Sequence, residues 1–597
     1  ATSLETEIER LKNKKAAVTN HVDRVKKYAR ELLEASGRTK GGGTLGSMAL
    51  QNSPLSLVVD NENSIPDVYM RASLTVQLDS GDLKLVQNLP VRHWVKPAQE
   101  WRVPRLASKS LEQLENATWT EKAKIAKQTV ENTILKLVDL KFQEGESDGL
   151  LRPYQTVGVE FLTFAKKGLL ADDMGLGKSI QAIKAAIDVQ AKKVLVLCPA
   201  SLKWKWADEF KKHFNIDAFV VGGTKEERRA VWKSDATYII ANYDLLHPNR
   251  DWDDMPHDWD VIIADEAVYL KNPKAMRTKR ALKLKAEYKF ALSGIYIENS
   301  LTEFFSIMRF IRPEVISANV HTFTKRYCEV DWNGKVIGVK KDKLPELHAL
   351  TSPFVLRRTK IEKLTELPPK IYTSIPLEMS KKEKAAYATL SAEFKAWVES
   401  GSKEEHKTVG SATLDVRYFV EGLGEMYNGN MPKTKRVWLD ELYENVDKLV
   451  VFTFFEKSAR KLKKHFDTPY YISGQEKNNR FEVVRDFNKA KKGILISTDA
   501  GKFGLDMVGA DTLVHYGYVH NPGTMVQRED RLWRMGQEKT VNILLPHLIG
   551  TIDEGIQKVY NARLAQSNMF MEGAEQMQEV KLSVKDYVKL IDGGDYD

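Results

Sequence analysis

At 597 residues, 42% hydrophobic and 29% charged, the chain has room for three or four domains with well-buried cores. Its 91 Lys and Arg against 81 Asp and Glu leave a formal charge of +10, an excess that favours a polyanionic partner only where it is locally concentrated. Only Cys198 and Cys328 are present, no Cys/His cluster has zinc-ligand spacing, and neither a membrane-length apolar run nor a secretory pattern is found, so the expectation is a cytoplasmic protein without disulfides, structural metal or membrane association.

In chain order, residues 1–36 carry a charged amphipathic helix, Leu4 to Leu33. It ends at Gly37 and the Gly41-Gly42-Gly43 stretch of a linker over 37–54. Self-packing is the ordinary role of such a helix; direct DNA contact is the other. Residues 55–120 switch to alternation, as in Leu74-Thr-Val-Gln-Leu78 and Leu83-Lys-Leu-Val86, which predicts a small α+β module. Trp94 and Trp101 flank a turn there and interleave with Arg92, Lys96 and Arg102. The rings either form the core of a small sheet or stack on splayed bases. A helical connector is expected over 121–150.

The densest signal follows. The apolar run Gly168–Ala171 leads into Asp172-Asp173-Met174-Gly175-Leu176-Gly177-Lys178-Ser179, and a helical stretch runs from Ile180 to Gln190. Strand, glycine turn and helix make a phosphate-binding loop, in which free backbone N–H groups face the anion. Gly175 and Gly177 allow close approach, Lys178 reaches the β/γ-phosphates, and the Ser179 hydroxyl is placed to ligate Mg²⁺. The strict pattern begins with glycine, where this chain has Asp172. Downstream, Asp260-Val-Ile-Ile-Ala264 reads as a buried strand ending at Asp265-Glu266. Two acids there are expensive to desolvate unless their charge is used. Asp265 is expected to hold the metal, through water, and Glu266 to polarise an attacking water. Buried strands are also expected at Val194–Cys198, Tyr238–Ala241 and Phe290–Leu292, then at Leu449–Phe455, Ile494–Ser497, Leu513–Tyr516 and Val541–Leu545. Near the far end, Gln527, Asp530, Arg531 and Arg534 share one face at helical spacing. Arginines so placed serve either as a solvated basic face or as fingers on a transferring phosphoryl group.

Together these motifs resemble the Swi/Snf-type ATPases of helicase superfamily two, from about Leu151 to Gln557. Leu151-Arg-Pro-Tyr-Gln155 is similar to the adenine-reading motif. Cys198 to Trp206 matches the motif that touches the DNA backbone, Leu292-Ser293-Gly294 the one coupling ATP to DNA, and Phe354 to Lys360 the segment joining two lobes. Ser497 to Leu505 and Gln527 to Gln537 match the last two motifs. The resemblance implies two tandem RecA-like, doubly wound parallel-sheet lobes with helical insertions: lobe 1 over 151–348, a linker and helical protrusion over 349–437, lobe 2 over 438–565 and a tail or brace over 566–597. It implies Gln155 and Gln527 at the nucleotide, with Arg531 and Arg534 beside Lys178 and Glu266 in catalysis. Lys203, Lys205, Thr498 and Lys502 are implied on DNA. Residues 55–120 faintly resemble the HARP-type module that precedes annealing-helicase motors.

Departures stand beside the matches. Val268 replaces the usual His, Ile295-Tyr296 the usual Thr-Pro, and Lys502 and Asp506 the common Gly and Asn. The coupling contact has become apolar on both sides, which either preserves the relay by packing or weakens it. Lys502 adds a possible phosphate contact and Asp506 a repulsion. Three functions follow from the resemblance: an ATP- and Mg²⁺-dependent translocase on double-stranded DNA that remodels branched DNA, the same motor displacing DNA-bound proteins such as RNA polymerase, or an uncoupled DNA-binding scaffold.

Overall fold

The computed structural model describes the backbone of five short strands before residue 120. It then describes residues 121–558 and 589, apart from 295, 298–299, 318, 333–335, 400–412, 424–431, 476–478, 503 and 520–521. The helix expected at Leu4–Leu33, the segment Leu83–Val86, Ile295 and the tail save Lys589 lie outside the described residues. The chain divides into two compact units, with the boundary at the Arg358–Thr359 peptide bond.

Among the described residues the first unit holds two main sheets and a two-stranded hairpin. Strands β1 (Leu55–Val59), β2 (Arg71–Thr75), β3 (His93–Val95), β4 (Glu100–Pro104) and β5 (Ala117–Trp119) form one in the order β3-β4-β2-β1-β5. Trp94 and Trp101 are register partners across the antiparallel β3–β4 pair. The larger sheet has seven strands: β6 (Lys167–Leu170), β7 (Val194–Cys198), β8 (Phe219–Val220), β9 (Tyr238–Asn242), β10 (Asp258–Asp265), β11 (Lys285–Leu292) and β14 (Val355–Leu356). Their order is β14-β6-β11-β10-β7-β9-β8, and every pairing is parallel. Helices cover the faces, so β7 is buried at all five positions and reads as a continuous Val-Leu-Val-Leu-Cys run without alternation. Between β11 and β14 lies a hairpin of β12 (Cys328–Val330) and β13 (Val336–Val339).

The second unit is a six-stranded parallel sheet of β15 (Lys370–Leu377), β16 (Lys448–Phe452), β17 (Tyr471–Ile472), β18 (Gly493–Ser497), β19 (Thr512–His515) and β20 (Val541–Leu548). Its order is β15-β20-β19-β16-β18-β17. Two sequence expectations are corrected here. The strand expected through Phe455 stops at Phe452, because the N–H groups of Phe454 and Phe455 leave the ladder for the Glu421 carboxylate (3.2 and 3.3 Å). The linker and helical protrusion expected over 349–437 also supply β15, an edge strand whose mostly exposed Lys-Ile-Tyr-Thr-Ser-Ile-Pro-Leu tolerates Pro376. Among the described residues no helix is long and apolar enough to cross a membrane.

Candidate nucleotide site

β6 sits inside its sheet and delivers the chain into the glycine turn. Gly175 and Gly177 have φ of +87° and +73°, a backbone region open to glycine and strained for other residues. At Gly177 a Cβ would also lie 2.4 Å from the Gln155 amide nitrogen. The helix Lys178–Asp188 begins immediately, so its free N–H groups open onto the loop. Lys178 Nζ donates to the carbonyls of Asp172 (2.8 Å) and Asp173 (3.2 Å), which folds the ammonium over the loop.

Gln155 lies in the first turn of the helix Pro153–Ala165. Its Oε1 accepts from Arg152 N (2.9 Å) and its Nε2 donates to the Leu176 carbonyl (3.1 Å), so the helix start and the phosphate loop are one piece. Asp172 is fully buried. Its carboxylate accepts Arg358 Nε on Oδ1 (2.9 Å) and pairs with Arg358 Nη2 on Oδ2, while Gln181 Nε2 approaches Oδ2 at 3.4 Å. The residue that breaks the strict loop pattern is thus a buried anchor.

β10 ends at Asp265, two strands from β6 in the sheet. Asp265 Oδ2 accepts the Trp206 indole N–H (2.8 Å) and Oδ1 accepts the Glu266 amide (2.9 Å). Burial pushes its carboxyl above the usual range, opposed by the Trp206 hydrogen bond, then by the charge of Lys178 and by Lys205. Glu266 has φ +47° and ψ +56°, a left-handed backbone in a residue other than glycine. Such strain persists only where the surroundings enforce it and gathers at functional sites. Within this unit the structure therefore brings Gln155, Asp173 to Ser179 and Asp265–Glu266 to the carboxyl ends of the parallel strands, where open α/β sheets bind ligands.

The arginine segment of the second unit departs from the expected helix. The helix Pro522–Glu529 ends and Asp530 to Arg534 continue as turns, closed at Gly536 (φ +92°). Side chains on the sheet side account for the break. Glu529 is fully buried between Lys370 (3.0 Å), Tyr372 Oη (2.6 Å) and His515 (3.3 Å), and Trp533 Nε1 donates to the Pro368 carbonyl (2.8 Å). Asp530 pairs with buried Lys360 (2.7 Å). Arg531 Nε donates to the carbonyl of buried Gln527 (3.1 Å). Arg534 pairs with Asp506, so the acid expected to repel a phosphate is neutralised within the fold.

The residues expected on DNA are mostly engaged in the protein. Lys203 Nζ donates to the Val221 carbonyl (2.6 Å), and burial lowers its pKa. Thr498 is buried and its hydroxyl accepts the Ala500 amide (3.3 Å). Lys502 donates to Thr524 Oγ1 (3.0 Å) and lies 3.7 Å from Asp499. Val268 and Tyr296 are both buried, and the Tyr296 ring lies 5.5 Å from that of Phe304. The motif reading missed Trp204, 71% exposed between Lys203 and Lys205, and missed Trp206 as the partner of Asp265. Trp204 is legible only as an aromatic among lysines. The Trp206–Asp265 pair spans 59 residues and leaves no local pattern.

A model described as SNF2-related domain matches residues 154–421, and one described as helicase conserved C-terminal domain matches 434–536. Residues 154–421 and 434–536 are thus similar to the two parts of the Swi/Snf-type ATPases. A third model, Siphovirus Gp157, matches residues 1–85. An uncharacterized ATP-dependent helicase of Mycoplasma genitalium is 29% identical over 437 residues, covering 69% of this chain and 41% of that protein. The ISWI chromatin-remodeling complex ATPase ISW1 of Saccharomyces cerevisiae is 26% identical, over 70% of this chain and 40% of that one. The SWI2/SNF2 ATPase core of Sulfolobus solfataricus, solved in complex with dsDNA, is 26% identical over 74% of this chain and 98% of its own, with a TM-score of 0.36. The chain spans about two fifths of the length of these two curated relatives. With the two parallel-sheet units, the matched segments place the phosphate loop in the SNF2-related part and the arginine segment in the helicase C-terminal part.

Proposed function

We propose that the chain is an ATP-dependent translocase on double-stranded DNA, acting on branched DNA by annealing or fork reversal. The observation that carries the ATPase reading is the phosphate loop with Lys178 folded over it, beside a buried Asp265 and a strained Glu266. Asp173 to Ser179 cradle the phosphates through backbone N–H groups, and Gln155 stands beside the loop to meet the base. Among the described residues no group of three or more His, Cys, Asp or Glu is arranged to hold a metal. That fits Mg²⁺, which nucleotide sites bind through one or two protein oxygens, waters and the phosphates themselves. Ser179 and Asp265 would supply those oxygens, and the ion would neutralise charge developing on the phosphates. Glu266 orients and polarises the attacking water. Arg531, with Arg534 as second candidate, would stabilise charge on the transferring group.

Similarity to the SNF2-related and helicase C-terminal families supports a DNA partner. The burial of Val268 and of the Tyr296 ring supports a relay kept by packing, over the scaffold reading. Val268→His is then expected to lower DNA-stimulated turnover, and an increase would sink the packing idea. The deciding experiment measures ATP turnover without DNA, with linear duplex and with a forked junction, using Lys178→Ala and Glu266→Gln as controls. Stimulation by duplex that both variants abolish, larger on the fork, is the expected result. Equal stimulation by both substrates would turn the reading toward displacement of DNA-bound proteins. No stimulation with intact ATP binding would leave a scaffold. DNA affinity should fall with salt at a log–log slope of about −0.9 per neutralised phosphate.

A further inference from the structure

The segment that leads from the first unit to the second is fastened at both of its ends. β14 pairs in parallel with β6, the strand that feeds the phosphate loop, with Val355 opposite Leu169 and Leu356 opposite Leu170. The ladder continues past both strands into the loop. Ala171 N donates to the Leu356 carbonyl (2.7 Å) and Asp173 N donates to the Arg358 carbonyl (3.0 Å). The Arg358 side chain then turns inward. It takes both oxygens of Asp172, the Oε1 of Gln181 (2.8 Å) and the Tyr154 carbonyl. One residue therefore serves two groups: the Asp172 carbonyl accepts Lys178 while its carboxylate holds Arg358. Space for this network is kept by Gly158, where a Cβ would lie 1.8 Å from Gln181 Oε1 and 2.8 Å from Arg358 Nη2.

Arg358 is the last residue of the first unit and Thr359 begins the second. On that side the chain is fixed at once. Thr359 and Glu362 cap a short helix, with Thr359 N donating to Glu362 Oε2 (2.9 Å). Lys360 Nζ is buried and donates to Asp530 Oδ1 (2.7 Å) and to the Trp533 carbonyl (2.7 Å). Those two residues flank the catalytic candidate Arg531 and its neighbour Leu532. Buried charges with complete partner sets hold one geometry, because any other leaves a desolvated charge unpaired.

We propose that Asp172, Arg358 and Lys360 are positioning residues that tie the chain between the units to the phosphate loop at one end and to the arginine segment at the other. The joint is then the backbone linking Arg358 to Thr359. A phosphate that draws Lys178 away from the Asp172 carbonyl acts on the same residue that holds Arg358. Nucleotide state at the loop is thereby felt at the joint.

This inference rests on the ATPase reading above, and its test separates the two. The direct variant, Arg358→Gln, strands Asp172 as an unpaired buried charge and risks misfolding. Gly158→Ala displaces the flexible tips of Arg358 and Gln181 without removing a charge, and Lys360→Met combined with Asp530→Leu releases the other end without stranding a buried carboxylate. Each is compared with the wild-type chain in three measurements: affinity for a fluorescent ATP analogue, turnover with and without duplex, and amide hydrogen exchange over 356–363 with and without nucleotide. In both variants the analogue affinity and DNA-free turnover should match wild type. DNA-stimulated kcat should fall about tenfold at unchanged KM for ATP, a typical size for coupling between sites. Nucleotide should alter exchange over 356–363 in the wild type and no longer do so in either variant. Unchanged stimulated kcat in both variants would overturn the proposal. So would a parallel loss of analogue affinity and DNA-free turnover, since these residues would then merely support the loop. If wild-type turnover ignores DNA, the translocase reading fails on its own, and the exchange measurement still decides: nucleotide-independent exchange in the wild type rejects the tether.

Discussion

The phosphate loop and the arginine segment hold reactive side chains by opposite means. The loop is held by backbone: Lys178 rests on two carbonyls of its own loop, and two glycines supply the left-handed turns. The arginine segment is held by buried charge. Glu529 is locked by Lys370, Tyr372 and His515, Arg528 reaches Asp499 (2.7 Å), and Asp530 reaches Lys360. Backbone holding is insensitive to pH and tolerates surface change. Charge holding fixes a geometry between residues far apart in sequence, but its strength depends on every partner being present and ionised. The two regions should therefore fail differently when perturbed.

The largest expected effect is on chemistry without loss of fold. Arg531→Ala should lower turnover by roughly 10³-fold or more, the usual worth of a finger on a transferring phosphoryl group. Arg534→Ala should do much less, because its partner is the half-exposed Asp506. Single-turnover hydrolysis with matched thermal melts checks both. Equal losses would assign the finger to both arginines.

Next in size is a loss of fold confined to the second region. Asp530→Ala leaves Lys360 buried without its carboxylate; burial already holds that ammonium down to about 8, with Asp530 opposing the fall. Breaking such a pair costs about 3–5 kcal/mol. Denaturant unfolding should show this in the second unit, while Lys178→Ala, which removes only donations to carbonyls, should leave the midpoint almost unmoved. A comparable shift in both would erase the contrast between the regions.

Acid offers a milder probe of the same contrast. Burial works to raise the Glu529 carboxyl, but Lys370, His515 and Tyr372 outweigh it and bring it down to about 2. A carboxyl held below its unfolded value adds stability that is complete above about pH 4.5 and lost as pH falls toward 2. The contribution is at most about 3 kcal/mol. Glu421, pushed up to about 7 by burial, has the opposite sign and acts between about 4.5 and 7, so it is silent below that window. Between pH 4.5 and 2 Glu529→Gln should flatten the fall in stability relative to wild type. An unchanged acid limb would mean that Glu529 is not held as the geometry implies.

The same division explains what could be read in advance. The phosphate loop, the strand ending at Asp265 and the central strands are local patterns, and continuous apolar runs such as Val194–Cys198 announce strands buried on both faces. Asp172 was visible only as a misfit, since the Arg358 that explains it lies 186 residues away. The helix expected through Arg534 obeyed every local rule and still ended at Glu529, because Lys360, Pro368 and Lys370 capture its side chains from outside the segment. Three two-residue strands, at Phe219, Val355 and Tyr471, are too short to carry any period. The edge strand Lys370–Leu377 lay hidden in a run of charged helices because an exposed edge needs little apolar alternation.

Asp172, paired with Arg358, already crosses the division; Asp265 crosses it too, and it gives the smallest and most discriminating test. Asp265 belongs to the backbone-held region, yet its carboxylate depends on a distant side chain, the Trp206 indole N–H at 2.8 Å. Burial pushes the Asp265 pKa up, and the Trp206 hydrogen bond is the largest single influence holding it back. Trp206→Phe keeps an aromatic ring near Phe210, whose centroid is 6.3 Å away, but removes the donor. A hydrogen bond to a charged group is worth about 1.5–3 kcal/mol. Its loss should raise the Asp265 pKa further, so protons compete better with Mg²⁺ for the carboxylate. The acid limb of the kcat profile should then move to higher pH, and the Mg²⁺ needed for half-maximal turnover should rise about tenfold at neutral pH. Stability should fall by no more than the worth of that hydrogen bond, about 1.5–3 kcal/mol. If instead the variant unfolds while its pH profile stays fixed, Asp265 is held by side-chain charge like Glu529, and the contrast between the two regions does not extend to the metal-binding candidate.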